Sequence, residues 1–383
     1  MKHINNQRTL SFKVFTGITF SLLSTLSMNT AAVAGDALEE SASLSPLAAH
    51  SLLMDVDRVG NHLIALGERG HILLSEDEGN SWQQVPSPVR VTLTAADFVD
   101  DKTGWVTGHD GVILKTQDGG HTWTKQMDGY QANKLMQDLA LQRLAQSEQA
   151  LENAPAEQQS ELEDEIGELT IQLEDAEAFS DEGPSRPFLG VWFKNADEGI
   201  VVGAFGLILH TIDGGNSWKA WYDHIDNASS FHLNDITQIG DQLFIAAEAG
   251  TLYRSDDWGM TWEMLDSPYE GSFFGIIGDD KGRIIAYGLR GHAFQSLNSG
   301  DTWQKIDTGV DSSLFSGTLL SNGSAVLVGA AGISLHIDTD GRVININQSP
   351  SRLPFSHVIE SKNQSLLIAG PGGIHTAAVT EGK

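Results

Sequence analysis

Five segments of the chain repeat an acidic or amide side chain, a glycine two residues later and a tryptophan three residues after that. They comprise Asp77, Gly79 and Trp82; Asp118, Gly120 and Trp123; Asp213, Gly215 and Trp218; Asp257, Gly259 and Trp262; and Asn298, Gly300 and Trp303. Carboxylates beside glycines suggest a calcium loop, but they also suit a tight turn in which Asp accepts backbone N–H groups and Gly adopts a positive φ. Asn298 favours the turn, because an amide oxygen is a poor ligand for a hard cation. We therefore predict structural turns with tryptophans packed between repeats, and no metal site and no cofactor.

Catalytic arrangements are weakly represented. A sialidase would need an arginine cluster for the substrate carboxylate, a Tyr–Glu nucleophile pair and an acidic Asp, and the sequence shows no such constellation. It also lacks the phosphate-binding loop, the G-x-S-x-G elbow and the H-E-x-x-H zinc motif. The thirteen histidines show no recognisable ligand spacing. We predict no catalytic residues, with a glycan-binding protein or a sialidase-like glycoside hydrolase as the alternative.

Composition excludes several further classes. The chain has 383 residues, with 23 Lys and Arg against 51 Asp and Glu and a formal net charge of −28. This charge argues against nucleic acid or an anionic lipid surface as the partner. The sequence contains no cysteine, which excludes disulfides, thiolate metal sites, cysteine nucleophiles and a lipid-modified cysteine.

Residues 1–34 have the features of a secretory signal peptide. Three basic residues precede a mostly apolar run over 14–28, and Ala32-Val33-Ala34 provides an A-x-A cleavage site. The apolar run is shorter than the ~20 residues that a transmembrane anchor needs. We predict cleavage after Ala34, a periplasmic location and no membrane anchor in the mature chain.

A repeat of about 41 residues organises the rest of the chain. Its marker is the second small residue of a recurring pair, found at Gly70, Gly111, Gly206, Gly250, Gly291, Gly332 and Gly373. The separations are 41, 95, 44, 41, 41 and 41 residues, and omitting 131–184 restores the period. This spacing predicts an all-β, seven-bladed propeller with four-stranded blades over 35–383.

The strands within a repeat are placed from its apolar runs and turn residues. In the second repeat we expect strands at 98–99, 104–108, 112–116 and 123–126, from the innermost to the outermost. The last repeat has only three candidate strands, so residues 42–49 are expected to supply the fourth and close the ring.

The repeated motif is the Asp-box, or BNR repeat. The frame in which 104–108 leads through 111–116 to 118–123 resembles the photosystem II stability and assembly factor family, over residues ~50–130 and ~185–380. The resemblance implies a seven-bladed propeller that assists assembly of a membrane complex without known catalysis. Many bacterial relatives have no photosystem, and several are found beside resistance-nodulation-division transporters. The chain departs from the photosynthetic members in its acidity, where they carry a basic patch, and in its insertion.

The insertion, residues 131–184, is predicted to form a helical hairpin. Its two helices would cover 131–153 and 156–179, with a turn at Ala154-Pro155 and a coiled-coil-like apolar stripe on the second helix. Between Glu157 and Glu182 the sequence has eleven acidic and no basic residues. This surface either docks a partner or only keeps the hairpin solvated.

Propeller topology places the insertion on the same face as the turns between second and third strands. The candidate partner-binding residues are Glu68, Arg69, His109, Asp110, Phe205, Glu248 and Arg290 in these turns, and Glu161, Glu165 and Glu168 on the second helix. We therefore predict an exported, non-catalytic accessory, assembly or scaffold factor for an envelope membrane complex, for which a resistance-nodulation-division transporter is a candidate. The alternative glycan-directed function would use the central pocket.

Overall fold

A computed structural model describes residues 36–379. The predicted signal peptide lies outside these residues. The described chain forms seven antiparallel sheets arranged as the blades of a propeller, as predicted. Six sheets have four strands, and the seventh has three.

The strands follow in chain order, with the first strand of each blade innermost. Blade 1 contains β1 Leu53–Val59, β2 His62–Gly67, β3 Ile72–Ser75 and β4 Gln83–Val85; blade 2 contains β5 Leu93–Phe98, β6 Gly104–Gly108, β7 Ile113–Thr116 and β8 Thr124–Met127; blade 3 contains β9 Phe188–Phe193, β10 Gly199–Gly203, β11 Ile208–Thr211 and β12 Lys219–Ala220. Blade 4 contains β13 Leu233–Ile239, β14 Gln242–Ala247, β15 Leu252–Ser255 and β16 Glu263–Met264; blade 5 contains β17 Phe273–Gly278, β18 Ile284–Gly288, β19 Ala293–Ser296 and β20 Gln304–Ile306. Blade 6 contains β21 Leu314–Leu319, β22 Ala325–Gly329, β23 Ile333–Ile337 and β24 Val343–Gln348; blade 7 contains β25 His357–Glu360, β26 Ser365–Gly370 and β27 Gly373–Ala378.

The core lies between neighbouring blades. The second strands, such as β6 and β10, are buried at every position, because each is covered on both faces. The Asp-box tryptophans contribute to these layers: Trp123 packs in the cluster that contains Ile64 and Leu74 of the preceding blade. Between blades 2 and 3, the rings of Trp105 and Phe193 stack with centroids 3.4 Å apart.

The ring closes differently from the prediction. Residues 42–49 form no strand beside β27; they include the start of a 3-10 turn at Ala48–His50, and Pro46 in this segment has no N–H for a ladder. The start of this segment bonds instead to the connection after β4, where Ala42 N donates to Ser87 O (3.0 Å). Closure comes from the inner strands, since His357 of β25 pairs with Asp55 of β1, with Nδ1 and Oδ1 3.0 Å apart.

The insertion forms the predicted helical hairpin between β8 and β9. Helix α1 spans Gly129–Asn153 and α2 spans Ala156–Glu182, and the residues between them are extended. Asp128 caps α1 in a capping box with Gln131, which satisfies exposed N–H groups at the helix start. Within residues 36–379, no helix is both long and apolar enough to cross a membrane.

Candidate partner-binding surface

Each Asp-box forms the same kind of hydrogen-bonded turn, and these turns lie on the face opposite the hairpin. In the first box, Ser75 Oγ donates to Asp77 Oδ1 (2.9 Å) and accepts from Gly79 N (2.8 Å). Ser81 donates from its N to Asp77 Oδ1 (2.8 Å) and from its hydroxyl to Oδ2 (2.6 Å). The same four bonds recur in the next three boxes, and Asn298 Oδ1 takes the acceptor role in the fifth. The bonds from Ser81 hold the pKa of Asp77 below its ordinary value.

The box carboxylates therefore already have donors for their oxygen atoms. Within residues 36–379, no group of three or more His, Asp and Glu side chains is arranged to hold a metal ion.

The opposite face, here called the insertion face, carries the hairpin and the turns between second and third strands. In six blades each turn has a non-glycine residue in the left-handed region, with φ between 52° and 57°; these are Arg69, Asp110, Phe205, Ala249, Arg290 and Ala331. A glycine follows, and in blade 1 a Cβ on Gly70 would lie 2.0 Å from Val89 O. Because the backbone packs inward at this glycine, the preceding side chain is presented outward. Arg69 and Arg290 are exposed, and Phe205 is 45% exposed.

Two of the predicted turn residues have partners within the fold. Glu68 Oε1 accepts from Leu52 N (2.9 Å), and Glu248 Oε2 accepts from His232 N (2.9 Å). These carboxylates tie the turn to the start of the inner strand. His109 is exposed, whereas its neighbour Asp110 is half-buried, and this burial raises the pKa of Asp110.

The predicted residues of α2 lie along the hairpin. Glu161, Glu165 and Glu168 are all exposed, and within residues 36–379 no basic side chain lies within 4 Å of their carboxylates. They form an acidic edge distant in sequence from the turns. Within residues 36–379, the base of the hairpin lies against two predicted turn residues, Asp110 beside Gly129 and Phe205 beside Phe179.

The contact at Phe205 is aromatic. The Phe179 ring of α2 lies 5.3 Å from the Phe205 ring, which lies 4.6 Å from the His232 ring. On the α1 side, Ala132 and Met136 pack in the core cluster of blades 2 and 3. The two hairpin helices pack mainly on each other, and the base of the hairpin is anchored on blades 2 and 3.

A polar latch fixes this base. Asn133 Nδ2 donates to the carbonyls of Phe179 and Gly183 (2.9 Å each), and Asn133 Oδ1 accepts from Arg186 Nη2 (2.8 Å). Arg186 is only 4% exposed, and its guanidinium lies 4.1 Å from the Phe179 ring centroid. Sequence reasoning missed Arg186, although it is the first basic residue after the acidic run of α2.

Between the latch and blade 3 lies a cavity of about 240 Å³, here called the hairpin groove. Arg143 and Gln172 line it from the two helices, Arg186 from the connection to β9, and Phe205 and Tyr222 from blade 3. The Arg143 guanidinium lies 5.8 Å from the Tyr222 ring centroid. The groove thus combines two cations, aromatic rings and an amide on the insertion face.

The central channel is a second, larger cavity of about 920 Å³, lined by the inner strands. Its lining includes four carboxylates and one histidine that sequence reasoning missed: Asp55, Asp57, Asp97, Asp235 and His357. A signal existed in the repeat, because Asp55 and Asp235 are the third residues of β1 and β13. His357 holds the equivalent place, pairing with Ala369 as Asp55 pairs with Leu66.

The channel carboxylates bond across blade boundaries. Asp55 Oδ2 accepts from Ala96 N of blade 2 (2.8 Å), and Asp97 Oδ2 accepts from Phe193 N of blade 3. His357 Nδ1 lies 3.1 Å from the carbonyl oxygen of Val56 in blade 1. These contacts give the acidic cluster a role in holding neighbouring blades together.

Burial and mutual charge set the titration of the cluster. Burial raises the pKa of Asp97 to about 7 and that of Asp235 to about 6, and burial with repulsion from Asp55 raises the pKa of Asp57 to about 6. Burial alone would lower the pKa of His357, but the Asp55 carboxylate raises it to about 9. Burial would likewise raise the pKa of Asp55, and His357 lowers it below its ordinary value.

The blades and their boxes define the chain as an Asp-box seven-bladed propeller. The family described as photosynthesis system II assembly factor YCF48 matches residues 74–142 and 183–332, more than half of the chain and on both sides of the hairpin. The chain belongs to this family, as its resemblance indicated.

Individual curated relatives match the chain either at low identity or over a short segment. The chain is 27% identical over 146 residues to the photosystem II assembly lipoprotein Ycf48 of Synechococcus sp. (strain CC9902), covering 38% of this chain and 44% of that protein. It is 45% identical over 47 residues to the chloroplastic photosystem II stability/assembly factor HCF136 of Cyanidioschyzon merolae, covering 12% and 11%. The chain thus spans less than half the length of these curated relatives.

The solved structure of YCF48 bound to D1 peptide has the same fold. It superposes with a TM-score of 0.58 at 15% identity, over 89% of this chain and 97% of that one. YCF48 from Cyanidioschyzon merolae gives 0.57 at 14% identity, over 88% and 97%. The matched family consists of assembly factors for a membrane complex, which agrees with an accessory role that involves a protein partner.

Proposed function

We propose that this chain is an exported, periplasmic accessory factor that binds a protein of an envelope membrane complex on its insertion face. The observation that carries this proposal is the docking of the hairpin base on Phe205, which builds a groove and an acidic edge onto a family propeller. Family membership supports the accessory role, and the relative solved with a D1 peptide supports a polypeptide ligand.

The charge of the hairpin sets the chemistry of the partner. Eleven acidic residues between Glu157 and Glu182 would repel an anionic surface and attract a basic one. We propose a basic periplasmic surface of a membrane protein as the docking partner. A resistance-nodulation-division transporter is the candidate class to examine first.

Crosslinking and capture from native membranes test this function. Reversing Glu161, Glu165 and Glu168 to Lys changes the charge of α2 without touching the latch. Capture of the partner should fall, and binding of the unaltered protein should weaken above ~0.15 M salt, where the screening length is about 8 Å.

The matched control places the same charge change on the other face. Glu76, Asp101 and Asp280 are exposed there, and reversing them to Lys should leave capture unchanged. Equal capture by both triple variants, with the same salt response, would exclude the hairpin as the docking surface.

The central channel supports the second candidate function, a glycan-directed enzyme. Asp57 and Asp97 have raised pKa values of about 6 and 7, a range useful for general acid or base catalysis. Among residues 36–379, however, the channel lining contains no arginine to hold a substrate carboxylate. We expect no sialoside hydrolysis above that of an Asp57→Asn/Asp97→Asn variant, and turnover lost in that variant would favour the enzyme.

A further inference from the structure

The hairpin groove contains a buried cation with little compensation. Within residues 36–379, no carboxylate lies within 4 Å of the Arg186 guanidinium, and its buried Nε has no hydrogen-bond acceptor. Its Nη2 donates to Asn133, and Phe179 lies against its face. Burying a guanidinium with a single acceptor is costly, so Arg186 is suited to bind an anionic group.

Arg283 shows how this fold otherwise satisfies a buried arginine. Arg283 is 8% exposed, and its three nitrogens donate to Gln295 Oε1 (3.4 Å), Gly323 O (2.6 Å) and Asp338 O (3.0 Å). Arg186 is buried more deeply and has one such acceptor. Burial lowers the pKa of Arg186 to about 10, so the guanidinium is still charged at neutral pH.

The groove surrounds this cation with complementary groups. Arg143 supplies a second guanidinium, which lies beside Tyr222. Phe205 and Phe179 add apolar surface beside them. A carboxylate next to an apolar side chain would take hydrogen bonds from the guanidinium groups, and the apolar side chain would contact the two rings.

The rim of the groove is formed by exposed acidic residues, whose charge is opposite to that of Arg186 and Arg143 inside it. Glu168, Asp175, Asp223 and Asp226 line the same cavity and are exposed. Their carboxylates would repel a ligand that is anionic throughout, but they would attract basic groups flanking a single carboxylate. The cavity of about 240 Å³ is also smaller than the ~300 Å³ typical of the smallest ligand pockets, so it suits one or two side chains.

We infer that the hairpin groove binds a polypeptide segment of the protein partner through one Asp or Glu side chain, with an apolar residue beside it and basic residues flanking it. The guanidinium groups of Arg186 and Arg143 would donate hydrogen bonds to the carboxylate. Phe205 and Phe179 would contact the apolar side chain, and the acidic residues at the mouth of the groove would attract the basic residues. This inference rests on the proposed function, which it deepens by stating what part of the partner is recognised.

Capped peptides test the groove without knowledge of the partner. The probe pair is Ac-Leu-Glu-NH2 and Ac-Leu-Gln-NH2, which differ only in the carboxylate, titrated into purified protein carrying 15N-labelled arginine. The Nε–H signal of Arg186 should shift with the Glu peptide and not with the Gln peptide. Adding a Lys on each side of Leu-Glu should tighten binding, and salt should remove that gain.

Variants assign the interaction to the groove. Arg143→Gln removes a groove cation outside the latch and should weaken the Glu peptide about tenfold, as expected for a lost bond to a charged group. Arg342→Gln, in an exposed turn between β23 and β24 on the opposite face, is the matched control and should leave affinity unchanged. Arg186→Gln should abolish binding, and a far-ultraviolet spectrum and melting curve will show whether it remains folded.

Several results would overturn the inference. An unmoved Arg186 signal, or equal binding of the Gln peptide, would leave Arg186 as a latch only. Equal shifts with acetate alone would assign the site to small carboxylates. Failure of the proposed function has a separate readout, because it appears as unchanged membrane capture by a variant in which only Glu161 and Glu165, which do not line the groove, are reversed to Lys.

Discussion

The channel carboxylate Asp97 allows a sharp test, because neutralising it should stabilise the protein. Asp97 accepts a hydrogen bond from Phe193 N, and the side-chain oxygen of Asn can accept the same bond. Burial raises the pKa of Asp97 to about 7 from an ordinary value of 3.8. Asp97→Asn therefore removes a charge that is costly in the folded state while keeping the cross-blade bond.

The sign of the pH dependence follows from this pKa. Between about pH 4 and pH 7 the folded protein holds a proton that the unfolded chain releases, so the Asp97 contribution to stability is present at low pH and is lost as pH rises through about 7. A shift of about three units corresponds to ~4 kcal/mol as an upper limit, at ~1.4 kcal/mol per unit. Asp97 is partly exposed to the channel, so we expect ~1–2 kcal/mol.

Melting curves at pH 5 and pH 8 measure the effect. At pH 8, Asp97→Asn should melt a few degrees above the unaltered protein, at roughly 2–4 °C per kcal/mol, and the difference should shrink at pH 5. Asp101→Asn, an exposed turn residue, is the control and should show no difference at either pH. A variant that is less stable at pH 8 would refute the burial argument and make the Asp97 charge favourable.

Three further perturbations address the blade boundaries and the hairpin. Trp218→Ala truncates a 5%-exposed core ring and should cost ~3–5 kcal/mol in chemical denaturation; an unchanged midpoint would contradict its packing role. Asp55→Asn breaks the pair with His357 and should destabilise the protein by ~2–4 kcal/mol at pH 7. Because the pKa of His357 is raised to about 9, this loss of stability should fade as pH rises from 6.5 through 9. A loss that stays constant over this range would contradict the pairing. Excising 131–184 removes the contacts of the hairpin base and should lower the melting temperature by several degrees. Replacing only 145–164 with a short Gly/Ser bridge keeps these contacts and should change the melting temperature little. Equal effects of the two deletions would indicate that the base contributes nothing to stability.

The architecture was readable from the sequence because each blade repeats the same local requirements. Three features recur at a fixed period: a glycine where the chain turns tightly, an apolar run for a fully buried strand, and an Asp-x-Gly-x-x-Trp box. The hairpin was readable for a similar reason, since its apolar stripe and Pro155 are local signals. Such features need no knowledge of distant contacts.

The inner strands were harder to place. The innermost strand of blade 2 was predicted at 98–99 but spans Leu93–Phe98. It contains Thr94 and Asp97, which line the channel, so it carries no continuous apolar run. The expected strand at 42–49 does not form, because Ala42 at the start of this segment bonds to Ser87 after β4, a contact that local sequence patterns do not indicate.

By itself, the sequence determined the seven-bladed propeller, the hairpin and the position of the insertion face, because local periodicity and chain topology are sufficient for these. Only the tertiary structure decided which side chains meet. Asp55 and His357 are separated by almost the whole chain, and Arg186 lies 53 residues from Asn133, yet each pair is in contact. The physical reason is that burial, counter-charge and unsatisfied donors are properties of the assembled neighbourhood, whereas turn and strand preferences are properties of the local chain.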